Sequence, residues 1–197
     1  MSDKDANEAL LEAKNQKQLE KALADGAKID ATNEDGATKL TLLCKSKSGV
    51  MSKTEEAMAL YLIEKGANLR NEDDDGGTPL HYAAGSGSHA VVEVLLAKGI
   101  KPVASKKLKY TPLHYCVDTH AKDTWIWDKL LAAGNPIDAV NKWGDTPLYA
   151  AQSSWNPAAV KYFLAKGAST KHKDSDGKTL IERATELKQD KILKLLK

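Results

Sequence analysis

Apolar residues recur along this chain in short helical registers separated by polar, turn-forming stretches. In LYLIEKG, VEVLLAKG, DKLLAAG and KYFLAKG they gather on one side of a 3.6-residue period and stop at a glycine able to adopt the left-handed conformation; the earlier LEKALADG does the same. A second class of block, TKLTLL, TPLHYA, TPLHYC, TPLYAA and TLIERA, opens on threonine. Threonine can cap a helix, and a proline behind it suits the first helical turn, where a missing amide hydrogen costs nothing. Small residues follow, as at Ala83, Ala84, Ala150 and Ala151, so that a neighbouring helix can come close. The intervening NEDGAT, NEDDDGGT and NKWGDT suit tight hairpins. The pattern predicts pairs of short helices joined by projecting turns.

The two markers keep step along the chain. Thr38, Thr78, Thr111, Thr146 and Thr179 are spaced by 40, 33, 35 and 33 residues, and Gly26, Gly66, Gly99, Gly134 and Gly167 repeat those spacings in the same order. The T-P-L-H-x-A block, intact at Thr78, and a unit of about 33 residues resemble the ankyrin repeat, over essentially the whole chain. The resemblance implies an all-α fold: an ankyrin-repeat solenoid of about six stacked helix–turn–helix pairs with projecting β-hairpin-like loops, in one domain over 1–197. The expected units are 5–33, an N-terminal cap with Ala13 in the final-alanine position, then 34–71, 73–104, 106–139, 141–171, and a C-terminal cap at 174–197. Lys39 and Leu180 stand in for the proline and Thr41 and Glu182 for the histidine near the two ends, where capping repeats diverge; Tyr149 replaces the histidine farther inside. A single pair cannot bury its apolar faces at roughly 25 cal/mol per Å² and offset its ordering entropy, so stability must come from neighbouring pairs. CKSKSGVMSKTEE adds residues between the helices of the second unit and reads as a mobile loop on the edge opposite the hairpins; a smaller insertion falls in AKDTWIW.

Composition narrows the possible partners. The 197 residues, 42% hydrophobic and 28% charged, have an ordinary soluble composition with room for a core. A net charge of +2 supplies no long-range field for nucleic acid or anionic lipid. No apolar run approaches the ~18 residues that span a bilayer, so no membrane partner is expected. The start, MSDKDANEALLEAK, is acidic and amphipathic where a signal peptide would be basic and then apolar; the expected location is the cytoplasm, with periplasm or secretion open if a leader was removed. Cys44 and Cys116 form no disulfide framework and, two repeats apart, are expected to be free thiols.

TPLHYCVDTH places His114, Cys116, Asp118 and His120 at alternate positions, a spacing that invites a metal or thiol reading. Alignment puts Cys116 where Ala83 sits, as a small buried residue, and His114 where His81 sits. In ankyrin-like repeats that histidine makes hydrogen bonds bracing the hairpin. A helix would set His114 and Asp118 on one face and Cys116 and His120 on another, and two ligands do not make a zinc site. The chain carries no P-loop, G-x-S-x-G, H-E-x-x-H or paired Cys-x-x-Cys. The reading is therefore not an enzyme, with no catalytic residue, cofactor or metal assigned.

The resemblance implies instead a module that binds a folded protein through its concave face and hairpin tips, monomeric when free. Carried onto this chain, the tips are Glu34, Asp35 and Ala37; Asp74, Asp75 and Gly77; Lys107, Leu108 and Tyr110; Lys142, Trp143 and Asp145; and Ser175, Asp176 and Lys178. The first-helix ends add Lys45, Ser46, Gly85, Ser86, Asp118, Thr119, Ser153 and Ser154. The early tips present acid from Glu34, Asp35, Asp73, Asp74 and Asp75, whereas the later ones present Lys106, Lys107, Lys109 and Lys142 around Leu108, Tyr110 and Trp143. Exposed Trp and Tyr beside charge are typical interface anchors, which puts the centre at Tyr110 and Trp143. Trp127 aligns with Val92 and Val160 and reads as core; Trp125 takes a usually exposed slot, and Trp155 replaces the glycine of the turn between helices. One alternative is an inhibitor or immunity-type protein that blocks an enzyme of its own cell. Another is nucleic-acid or anionic-surface binding through KPVASKKLKY; against it stand the acidic tips and a basic complement of 29 residues in which only Arg70 and Arg183 are arginines.

Overall fold

The computed structural model describes residues 2–47, 49–117 and 124–196. Among the described residues twelve helices fall into two compact units, 1–100 and 101–197. Unit 1 holds α1 (Asp3–Glu12), α2 (Gln16–Ala24), α3 (Lys39–Lys45), α4 (Lys53–Glu64), α5 (Pro79–Gly85) and α6 (His89–Ala97). Unit 2 holds α7 (Pro112–Tyr115), α8 (Thr124–Ala132), α9 (Pro147–Ser153), α10 (Pro157–Ala165), α11 (Leu180–Glu186) and α12 (Asp190–Leu193). Helices pair in chain order and the pairs stack: α3 packs on α4 and α5, and α9 on α10 and α11. The only β pairing among the described residues is two isolated antiparallel bridges at hairpin bases, Thr32 with Thr38 and Lys173 with Thr179.

The block-opening threonines start these helices. Thr38, Thr146 and Thr179 accept a hydrogen bond from the backbone amide three residues on. At Thr78 and Thr111 the following histidine joins in, its Nδ1 accepting from the threonine amide at 3.3 Å (His81) and 3.0 Å (His114). The glycines ending the second helices, from Gly26 to Gly167, all adopt the positive φ expected of them.

Each unit carries its own apolar core. In unit 1 Leu40, Met58, Leu62, Leu80 and Leu95 are fully buried; in unit 2 Leu113, Ile126, Trp127, Leu130 and Phe163 are. Trp127 lies 4.9 Å from the Tyr162 ring and 5.6 Å from Phe163, centroid to centroid, as its alignment with the buried stripe predicts. Lys39, in the proline slot of the first threonine block, is only 6% exposed. Its Nζ donates to the carbonyls of Leu11 (2.9 Å) and Ala13 (2.6 Å), neutralising the carbonyl end of α1, while burial lowers its pKa. After α3, Ser46 Oγ donates to the Val50 carbonyl at 2.9 Å, and the Met51 amide to the Ser86 carbonyl at 3.4 Å.

Candidate functional site

One side chain builds four of the five hairpins, all but the one that opens at Ser105. Asn33, Asp73, Asn141 and Asp174 hold the first position, and the Oδ1 atom of each accepts amides from across its own turn. Neighbouring tips are joined by backbone hydrogen bonds, from the Asp74 amide to the Asp35 carbonyl (2.9 Å) in unit 1 and from the Lys142 amide to the Leu108 carbonyl (3.0 Å) in unit 2. His114 completes the brace: with Nδ1 accepting from Thr111, Nε2 carries the proton and donates to the Asp145 carbonyl of the next hairpin at 3.1 Å. That is the turn-bracing role implied for it. Cys116 is buried and its Sγ donates to the Leu113 carbonyl at 3.4 Å, in keeping with the alanine slot.

In unit 2 this scaffold brings Leu108, Tyr110, Lys142 and Trp143 together. The Trp143 ring stands 5.7 Å from Tyr110, tilted by 52°, with Lys142 Nζ 4.4 Å from its centroid on a cation–π contact. It nonetheless remains 40% exposed. Tyr110 is held edge-on by His114 (5.4 Å) and Tyr115 (5.8 Å). Lys106, Lys107 and Lys109 are exposed around the cluster and Leu108 is half-buried. Asp145 is half-buried, with Asn141 Nδ2 donating to its Oδ2 at 3.3 Å; burial pushes its carboxyl up. Ser153 is exposed and Ser154 half-buried at the end of α9. Asp118, Thr119 and His120 lie outside the described residues.

Unit 1 presents Glu34, Asp35, Asp74 and Asp75, all exposed. Asp35, Lys45 and Ser46 line one open groove with Leu43 and Met58, so a tip and a first-helix end share a face. Three expectations need correction. Asp73 is buried, accepting from Tyr82 Oη at 2.8 Å and lying 3.6 Å from Lys45 Nζ, so it belongs to the fold. Ala37 and Gly77, counted as tip positions, are buried, as are Ser46 and Ser86. Nor is the acid bare, because Lys45 Nζ pairs with Asp75 at 2.6 Å.

One member of the unit 2 cluster, and the backbone conformation of another, escaped the sequence reading. Tyr115 supports Tyr110 although its position in the block suggests only helix packing. Lys109 occupies the tip slot held elsewhere by Gly36, Gly76, Gly144 and Gly177, and keeps their left-handed conformation at φ +60°. Counting two residues back from each threonine reveals that exchange. Among the described residues no group of three or more His, Cys, Asp or Glu could hold a metal ion, and no helix is long and apolar enough to cross a membrane.

A family model for ankyrin repeats (3 copies) matches residues 6–106, 50–127 and 113–197. The chain is 32% identical over 82% of its length to a Caenorhabditis elegans homolog of transient receptor potential cation channel subfamily A member 1, and 30% identical over 74% to the Homo sapiens protein. It spans about an eighth of those relatives, 13% of each. Among solved structures, the human ASB11 ankyrin repeat domain matches at TM-score 0.76 with 28% identity, covering 98% of this chain and 80% of that one. A chain in the structure of the Bd0816 predatory endopeptidase from Bdellovibrio bacteriovorus in complex with immunity protein Bd3460 matches at TM-score 0.77 with 22% identity, covering 100% and 98%.

Proposed function

Because this chain belongs to the ankyrin-repeat family, a generic protein–protein interaction module for which no catalytic family is indicated, we propose that it binds a folded protein partner through the unit 2 hairpins. Trp143 and Tyr110 are the anchors, Leu108 extends the apolar contact, and Lys107 and Lys142 orient a partner that presents carboxylates. One observation carries this reading: Trp143 is braced by Tyr110 and Lys142 yet keeps 40% of its surface open, at a tip where its own core has no use for it. A preorganised aromatic loses little freedom on binding, which is why such residues dominate interface energetics.

The test is capture from the native lysate with wild-type and Trp143→Ala baits, followed by titration of whatever only the wild type retains. Tyr110→Ala with Trp143→Ala should weaken that complex by more than ~2 kcal/mol, roughly thirtyfold. Unchanged affinity removes these residues from the interface, and salt-dependent binding of random DNA with no retained protein would favour the lysine-rich hairpin as a nucleic-acid site.

A second, narrower reading is an inhibitor or immunity-type protein, favoured by the near-complete mutual coverage with a chain from the endopeptidase–immunity protein complex. On this reading the captured partner is an enzyme and stoichiometric addition abolishes its activity. An enzyme that binds and stays fully active rules the narrower reading out while leaving the broader one standing.

A further inference from the structure

The turn between the two helices of a repeat closes on a residue of positive φ: Gly87 (+74°) in unit 1, Trp155 (+53°) and Lys188 (+52°) in unit 2. A side chain in that conformation is strained, and strained residues, held in place by the structure around them, cluster at functional sites. Trp155 is the largest side chain the slot could hold, and the fold has little use for it: glycine serves at Gly87, and the Trp155 side chain is 60% exposed.

It does not stand alone. The next turn carries Leu187, 44% exposed. The two turns are clamped by fully buried amides: Gln152 Nε2 donates to Gln189 Oε1, and Gln189 Nε2 donates to the Gln152 carbonyl at 3.1 Å. Trp155 and Leu187 therefore sit on adjacent turns of one fixed edge. Lys188 beside Leu187, Lys191 in α12 and Lys161, one turn into α10 from Pro157, are exposed and make no ion pair among the described residues, unlike Lys166 with Asp128 or Lys178 with Glu186. Asp190 is the acidic exception.

We propose that this edge is a second docking surface, separate from the hairpin tips, and that it takes an acidic segment of a protein, one that sets an apolar side chain against Trp155 and Leu187 while its carboxylates meet Lys188 and Lys161. Charge complementarity chooses the acidic partner. The arrangement chooses a segment over an anionic membrane, because two apolar side chains give little to insert and a lipid surface would meet Asp190 along with the lysines, whereas discrete carboxylates can pair with the lysines individually.

The glycine slot supplies a clean test. Trp155→Gly installs the residue that Gly87 already uses, so it should unfold at the same or a higher denaturant concentration than wild type. A labelled synthetic peptide of alternating aspartate and leucine, followed by fluorescence polarisation at low salt, should bind wild type and lose about tenfold or more in affinity to Trp155→Gly and to Leu187→Ala. Trp143→Ala should bind it as wild type does, which separates this surface from the hairpin site. No peptide binding, or equal binding by Trp155→Gly, overturns the proposal. So does destabilisation by Trp155→Gly, which would make the indole structural. Trp155-dependent binding confined to phosphatidylserine vesicles would replace the protein segment with a membrane.

Discussion

The hairpins leading to Thr78 in unit 1 and Thr111 in unit 2 differ at the position before the capping threonine. In unit 1 that position is Gly77, and a Cβ built there would lie 2.3 Å from the ring of Tyr82. Glycine thus admits Tyr82 beneath the hairpin, where it is buried and donates to Asp73 at 2.8 Å. In unit 2 the same position is Tyr110, and the residue equivalent to Tyr82, Tyr115, stays half-exposed and packs edge-on against it. One tip seals itself with its own tyrosine, and the other turns two aromatic rings and Trp143 toward solvent. Both turns close on a backbone hydrogen bond, from the Asp73 amide to the Gly77 carbonyl (3.0 Å) and from the Ser105 amide to the Tyr110 carbonyl (2.7 Å), so the backbone fixes where a tip stands and leaves its chemistry free to vary. The cores divide similarly: all four tryptophans and the single phenylalanine lie within 101–197, so tryptophan fluorescence reports on unit 2 alone.

The largest effect expected from this asymmetry is in the unit 2 core. Trp127→Ala empties a site 1% exposed and packed against Tyr162 and Phe163, and should cost about 3–5 kcal/mol, read as a lower urea midpoint of tryptophan fluorescence. A shift below 1 kcal/mol would mean that unit 2 is not organised around this indole.

Next comes the anchor of the last hairpin. Burial opposes ionisation of Asp174, but Tyr149 Oη, the Lys178 amide and Arg183 all donate to it and outweigh burial, holding its carboxyl far below the usual carboxylate range. Burial and the Asp174 carboxylate push Tyr149 the other way, to about 12. A folded-state pKa below the unfolded value of ~3.9 means that this stabilisation is fully present above pH ~4 and is lost as the pH falls further. Asp174→Asn should cost about 2 kcal/mol at neutral pH and flatten the acid limb of the stability profile; an unchanged limb would assign the acid sensitivity to other carboxylates.

Sequence periodicity made the repeats, the caps and the buried role of Trp127 legible, because each depends on residues a few positions apart on one helix. It misplaced Asp73 and Gly77 because burial at a hairpin base depends on whether a tyrosine from the next helix folds under it. That is a contact between side chains, decided by the volume at Gly77 or Tyr110. The Lys45–Asp75 pair was hidden for the same reason: it joins a helix end to a tip thirty residues away.

A smaller effect tests the sealing contrast directly. Gly77→Ala should force Tyr82 off Asp73 and cost about 1–2 kcal/mol, measured by far-UV circular dichroism, and in a Tyr82→Ala background the same change should cost almost nothing. Equal costs in the two backgrounds would break the comparison between the tips.

The smallest effect runs in the opposite direction. Lys109 keeps the left-handed conformation that four other tips give to glycine, so Lys109→Gly relieves strain and should raise stability by about 0.5–1 kcal/mol. If the strain persists only because the tip needs a cation beside Tyr110 and Trp143, the stabilised variant should bind its partner less well. Lys109→Asn separates the two contributions, since asparagine tolerates the backbone but carries no charge. A variant more stable than wild type and equal to it in affinity would show that Lys109 belongs to neither surface, and would confine the unit 2 anchor to its aromatic rings and Lys142.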